Sequence, residues 1–198
     1  RTADPHDGDL EHVHHRPVVL ADHSDRSGSA TWILDQVITQ DLSDVMIGTI
    51  ADLKAVQAVK AKGLKAGDAF DMEIGGKADE SAGAPVRVKG TIALVVRAFN
   101  RDWVSVAFGK NNLVVLSEYL TQVMYPSDLA GFGADKYKVF AIKSRVHFRR
   151  GFDDSGFAKT ILLVEPERPF LGTVRLDALP YKNVDVTKFY PFGDVSFP

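Results

Sequence analysis

Pro17-Val18-Val19-Leu20-Ala21 is an uninterrupted apolar run that gives way at once to Asp22-His23-Ser24-Asp25-Arg26-Ser27-Gly28. An apolar run this short, bounded by turn residues, predicts a β-strand covered on both faces, and such strands belong to sheets flanked by helices. Trp32, Ile33, Val37 and Ile38 follow at helical spacing, with Ser27 or Ser29 placed to cap. Val45 to Ile50 predicts a second buried strand, and Asp52 a cap for a helix that runs to Lys62 and stops at Gly63. Strand, helix, strand, helix at this spacing predicts a βαβα unit with a parallel pair. The Ala21–Thr31 loop then lies at the carboxyl end of the first strand, where ligands bind in open α/β sheets.

The middle of the chain changes character. Ala69 to Ile74 alternates up to Gly75-Gly76, and Val86 to Arg97, Trp103 to Phe108 and Leu113 to Leu116 follow with turn residues between. This pattern predicts antiparallel pairing. Tyr125-Pro126-Ser127-Asp128 opens a short helix that Gly131-Phe132-Gly133 ends. Lys138 to Ile142 predicts a strand whose end carries Lys143 to Phe148 into a short helix through Phe152, and Thr160 to Val164 a further strand. The proline-containing tail from Glu165 is expected to be irregular. The expected fold is α/β: a mixed sheet with flanking helices and an antiparallel β-rich insertion between about Ala69 and Leu116. Residues 1–16 are read as a flexible leader or linker, and 17–198 as the domain. The chain opens on Arg1 rather than Met, which suggests a fragment, a processed chain or an excised domain.

Composition narrows the function. The chain has 198 residues and no cysteine, which rules out disulfides, thiolate catalysis and Cys-based metal sites. Absence of cysteine fits a cytoplasmic protein. The formal net charge is −2, and Lys and Arg form no basic stripe, so nucleic acid is not an expected partner. No apolar run reaches the length of a membrane span.

Four groups of residues bear on chemistry. Two carboxylates and an imidazole, Asp22, Asp25 and His23, fall in the crevice position, and Asp22 or Asp25 could bind a metal, orient a ligand or act as a base. Ser27, Gly28 and Ser29 could cradle an anion. A polar turn with a helix cap accounts for the same residues about equally well. His12, His14 and His15 have imidazoles suited to transition metals, but adjacent residues in a leader read better as a solvated cluster. Lys143, Ser144 and His147 offer a cation and a proton carrier at the same sheet edge, against a plainer reading as surface charge and a packed His. Gly75-Gly76-Lys77 lacks the spacing of a phosphate loop and reads as a tight turn.

Taken in order, Val18-Val19-Leu20-Ala21-Asp22, Asp25, Gly28 and Thr31, then Ile50-Ala51-Asp52 with Ala55-Val56, resemble the C-terminal domain of the MlrC (microcystinase C) family of metallopeptidase-like proteins. Ile74-Gly75-Gly76-Lys77 before Pro85-Val86, and Lys143-Ser144 with His147-Phe148-Arg149 and Phe152, extend the likeness from about Pro17 to the tail. The resemblance implies a bidomain zinc hydrolase. An N-terminal domain, absent here, would hold most of the one-zinc site, and this domain would close over a peptide or amide substrate. It implies catalytic roles for Asp25 and His147 and substrate binding by Asp22, His23, Ser29, Thr31, Lys143 and Ser144, with no metal ligand in this chain and no membrane partner. Self-association is compatible with it. The isolated chain is expected to be inactive. The family loop reads Asp-Asn-Pro-Gly-Gly-Gly and ends in Gly-Asp-Ser-Thr. Here Asp25 matches the first Asp and Thr31 the Thr, Arg26-Ser27-Gly28 replaces the Asn-Pro-Gly-Gly-Gly stretch, and the second Asp has no counterpart, Ser29 standing nearest. That departure motivates a rival reading: a non-catalytic ligand- or partner-binding module on the same fold.

Overall fold

The structure is a computed structural model that describes residues 17–22, 25, 28–78, 82–98, 100–144, 146–166, 182–183 and 185. The leader with its histidines, His23, and most of the tail lie outside the described residues.

Eight strands form one sheet: β1 (Val18–Asp22), β2 (Val45–Ala51), β3 (Ala69–Ile74), β4 (Val86–Ala98), β5 (Arg101–Phe108), β6 (Asn112–Ser117), β7 (Val139–Lys143) and β8 (Thr160–Val164), in the order β3-β4-β5-β6-β2-β7-β1-β8. The half from β6 to β8 is parallel, and the half from β3 to β6 is antiparallel. The sheet is therefore mixed, as the two kinds of apolar pattern predict. One detail differs from the expected βαβα pair. β1 and β2 run parallel but are not neighbours, because β7 lies between them and bonds to both. The local spacing of a crossover fixes direction, but which strand fills the gap depends on a segment far along the chain.

The period of two divides the core. Val19 and Ala21 of β1, Met46 of β2, and Phe140 and Ile142 of β7 face one side; Val45 and Ile47 of β2 and Ala141 of β7 face the other. Helices α1 (Trp32–Thr39) and α2 (Leu53–Ala61) cover the second side with Ile33, Leu34 and Val37, and Ala55, Val56 and Val59. On the first side lie 3₁₀ turns at Pro126–Phe132 and Ala134–Lys136 and a π-helical turn at Arg149–Asp154, bringing Leu129, Phe148 and Phe152 onto the sheet. Phe157 seals that side edge-on, 5.6 Å from the ring of Phe140 and 5.5 Å from that of Phe152. No helix among the described residues is long and apolar enough to cross a membrane.

Candidate functional site

The carboxyl ends of β1, β2, β6 and β7 deliver Asp22, Ala51, Ser117 and Lys143 to one edge of the sheet. Asp22 and Lys143 are register partners, so their side chains meet by strand pairing. Lys143 Nζ donates to Asp22 Oδ2 at 2.8 Å and to the carbonyl of Ala30 at 2.9 Å, and lies 3.5 Å from Asp25 Oδ2. All three charged residues are buried, at 0% exposure for Asp22, 1% for Asp25 and 3% for Lys143. A buried ammonium needs a carboxylate and filled donor positions to offset its desolvation, and this arrangement supplies both. Trp32, the first residue of α1, lies with its ring centroid 5.8 Å from the ammonium.

The carboxylates also shape the loop. Asp25 accepts from the backbone N–H of Gly28 at 3.0 Å and of Ala30 at 2.9 Å, and Asp22 accepts from the N–H of Asp25 at 3.1 Å. Gly28 takes φ +70°, a left-handed turn that suits glycine. Neighbouring segments clamp the rest. The carbonyl of Gly28 accepts from Ala51 N, that of Ser29 from Gly76 N, and Thr31 N donates to the carbonyl of Ala82. The Thr31 hydroxyl donates to the carbonyl of Ala84 at 2.6 Å. It is therefore not a side-chain cap for α1, although Thr31 occupies the N-cap position. Neither does Ser29 cap the helix, as the sequence suggested; Ser27 lies outside the described residues.

Asp52 anchors the adjoining wall. It caps α2 by accepting from Ala55 N at 2.9 Å, while its other oxygen accepts from Gly75 N at 2.9 Å and from Lys77 Nζ at 2.7 Å. Gly75-Gly76 is thus a turn, both residues at φ +61°. A Cβ on Gly75 would stand 2.4 Å from the Thr31 methyl, so this close approach demands glycine. Sequence reading identified Asp52 only as a cap. Its second role depends on contacts across the fold, though the pairing of a cap Asp with a later Gly-Gly-Lys was a usable signal.

The structure brings together Asp22, Asp25, Ser29, Thr31, Lys143 and Ser144, all buried. It does not bring Lys143 and His147 to a common surface: Lys143 points inward, whereas His147 is exposed. Gln122, not anticipated from sequence, connects His147 to Ser144. Its Nε2 donates to Ser144 Oγ at 3.3 Å, and its Oε1 lies 3.0 Å from His147 Nδ1. Ser144, Gln122 and His147 thus form one run of side-chain contacts that ends on an exposed imidazole.

The described residues do not fit a metal ion. Asp22 and Asp25 already accept N–H donors and face an ammonium, which repels a cation, and no three His, Cys, Asp or Glu residues among those described are grouped to hold one. A cavity of about 320 Å³ lined by Val37, Ile38, Leu42, Arg87 and Phe108 opens at the opposite edge of the parallel strands, away from this cluster.

Comparison with known proteins gives three findings. A family model described as MlrC C-terminus matches residues 20–182. Microcystinase C of Sphingomonas sp. is 29% identical over 156 residues, 71% of this chain but 30% of that protein. The solved structure of a candidate metallopeptidase from Mesorhizobium sp. BNC1 superposes with a TM-score of 0.66 at 18% identity, over 92% of this chain and 39% of the other. The chain thus spans about a third of the length of the relatives it matches.

Proposed function

Since the chain belongs to the MlrC C-terminus family, we propose that it is the C-terminal domain of a metallopeptidase-like amide hydrolase and forms one wall of the substrate cleft. The zinc of such an enzyme would be held mainly by an N-terminal domain. The observation that carries the reading is the rigid carboxyl edge of the sheet. Lys143, Asp22 and Asp25 tie down Gly28 and Ala30 of the loop from within, and Gln122 holds the exposed imidazole of His147.

Within this reading the residues divide their work. Asp25, Asp22 and Lys143 are positioning residues: they fix the backbone of Gly28 to Thr31 so that the loop presents one surface to a peptide or amide. Ser144 orients Gln122. Among the described residues of this wall, His147 is the imidazole that can accept a proton from, or donate one to, a bound substrate. In the full-length enzyme, His147→Ala is expected to lower kcat for a linear peptide by about 10²-fold or more, with an unchanged melting temperature. Turnover at the parent rate would remove His147 from the chemistry. The 198-residue chain alone is expected to give no hydrolysis.

The engagement of both Asp25 oxygens favours a second reading, a binding module without catalysis. Under it the full-length protein binds peptide with measurable heat by calorimetry, yet its hydrolysis does not exceed the background.

A further inference from the structure

Among the described residues eight large apolar side chains stand exposed. Ile38 and Leu42 flank the cavity at the far edge, and Leu162 and Leu163 belong to the edge strand β8. The other four, Tyr119 (57%), Leu120 (49%), Met124 (41%) and Val146 (60%), sit on the two loops that leave the carboxyl ends of β6 and β7. They share the edge that carries the candidate site: a Cβ on Gly28 would lie 2.9 Å from Leu120 Cδ1.

These side chains are not exposed because the loop is slack. Ser117 Oγ donates to the carbonyl of Tyr119 at 2.8 Å, and Thr49 Oγ1 to that of Thr121 at 2.8 Å. Arg101 donates to the carbonyl of Leu120 at 3.3 Å, and the Asp128 carboxylate accepts from Met124 N at 2.8 Å and Tyr125 N at 2.9 Å. Gly151 lets the π-helical turn approach the Met124 carbonyl so closely that a Cβ there would sit 2.3 Å away. Polar groups of the strap are anchored inward while its apolar side chains face out, and Gln122 and His147 supply polar neighbours. A fixed apolar centre beside polar groups is the composition of a protein–protein contact.

We propose that Tyr119, Leu120, Met124 and Val146 form the surface on which the N-terminal domain of the full-length protein seats. The inference rests on the reading that such a domain exists, and adds where it docks. Two observations favour this occupant. The matched relatives carry roughly twice as much chain again outside the aligned region, at 30% and 39% coverage. The patch also adjoins the loop edge, so one body covering the patch reaches the candidate site as well. Reach is no obstacle: the sixteen residues before Pro17 can span at most about 55 Å, against ~17 Å for the five-residue β1.

Hydroxyl-radical footprinting reads the side chains directly, because Tyr119 and Met124 are both readily oxidised. The expected result is oxidation of both several-fold slower in the full-length protein than in the 198-residue chain, with Leu120→Glu in the full-length protein restoring the fast rate. Leu120→Glu in the 198-residue chain should melt as the parent does, separating docking from folding. Equal rates in the two proteins overturn the proposal. So does slow oxidation already in the 198-residue chain: protein-concentration dependence would assign the surface to a second copy, and its absence to the chain's own remaining residues. Peptide hydrolysis by the same full-length sample keeps the two readings apart. Protection without hydrolysis retains the docking surface and removes the hydrolase; hydrolysis without protection does the reverse.

Discussion

Lys143 concentrates the energetics of the site in one side chain. Removing one partner of a buried charge pair leaves uncompensated charge, at a cost of about 3–5 kcal/mol. Lys143→Met, close to the parent in volume, is therefore expected to lower unfolding free energy by about 3–5 kcal/mol in urea titrations, and adding Asp22→Asn should recover part of the loss. A single variant as stable as the parent would mean that the carboxylates reach water without the lysine. The sequence placed Asp22, Asp25 and Lys143 at one edge of the sheet but not in contact with one another. Asp22 and Lys143 are 121 residues apart, and only the insertion of β7 beside β1 makes them register partners. That Lys143 faces inward was illegible for the same reason: a terminal strand residue faces solvent or protein according to what its neighbours deliver.

Turns and caps decide how the elements hold the loop. Asp52 serves α2 and the β3–β4 turn together, through Ala55 N, Gly75 N and Lys77 Nζ. Asp52→Ala should cost about 1–3 kcal/mol and Asp52→Asn distinctly less, since Asn still caps but no longer attracts the Lys77 ammonium. Thermal unfolding of the two variants checks the order; equal losses would mean that the charge contributes nothing. The strands and both helices were legible because their apolar periods are long enough to count. The start of α2 was legible because Asp52 caps it. The start of α1 was not, because the Thr31 hydroxyl bonds to Ala84, in a segment that no local pattern connects to the helix.

At the scale of the molecule, three described carboxylates couple stability to pH through neighbouring donors. Hydrogen bonds from Asn111 and Lys138 hold the Asp44 carboxyl below its ordinary value of 3.8. Arg87 does the same for Asp71, and Lys60, aided by Arg97, for Asp102. A carboxyl with a lowered folded-state value stabilises the fold above the unfolded value and loses that contribution as pH falls through the folded one. Stability should therefore decline below about pH 4, and Asp44→Asn should flatten that decline while changing the fold little at neutral pH. An unchanged acid limb in the variant would exclude Asp44 as a contributor.

The place of β7 also sets the order in which the chain can be completed as it is made. β1 bonds to β7 and β8, so among the described strands the earliest of the sheet has no partner until the last two are synthesised. Until then the antiparallel half, whose strands pair with near neighbours in sequence, can form ahead of it. The apolar Val18–Ala21 segment meanwhile waits unpaired, the kind of exposed strand that chaperones bind. The loop of the candidate site is thus completed late, when Lys143 arrives to pair with Asp22.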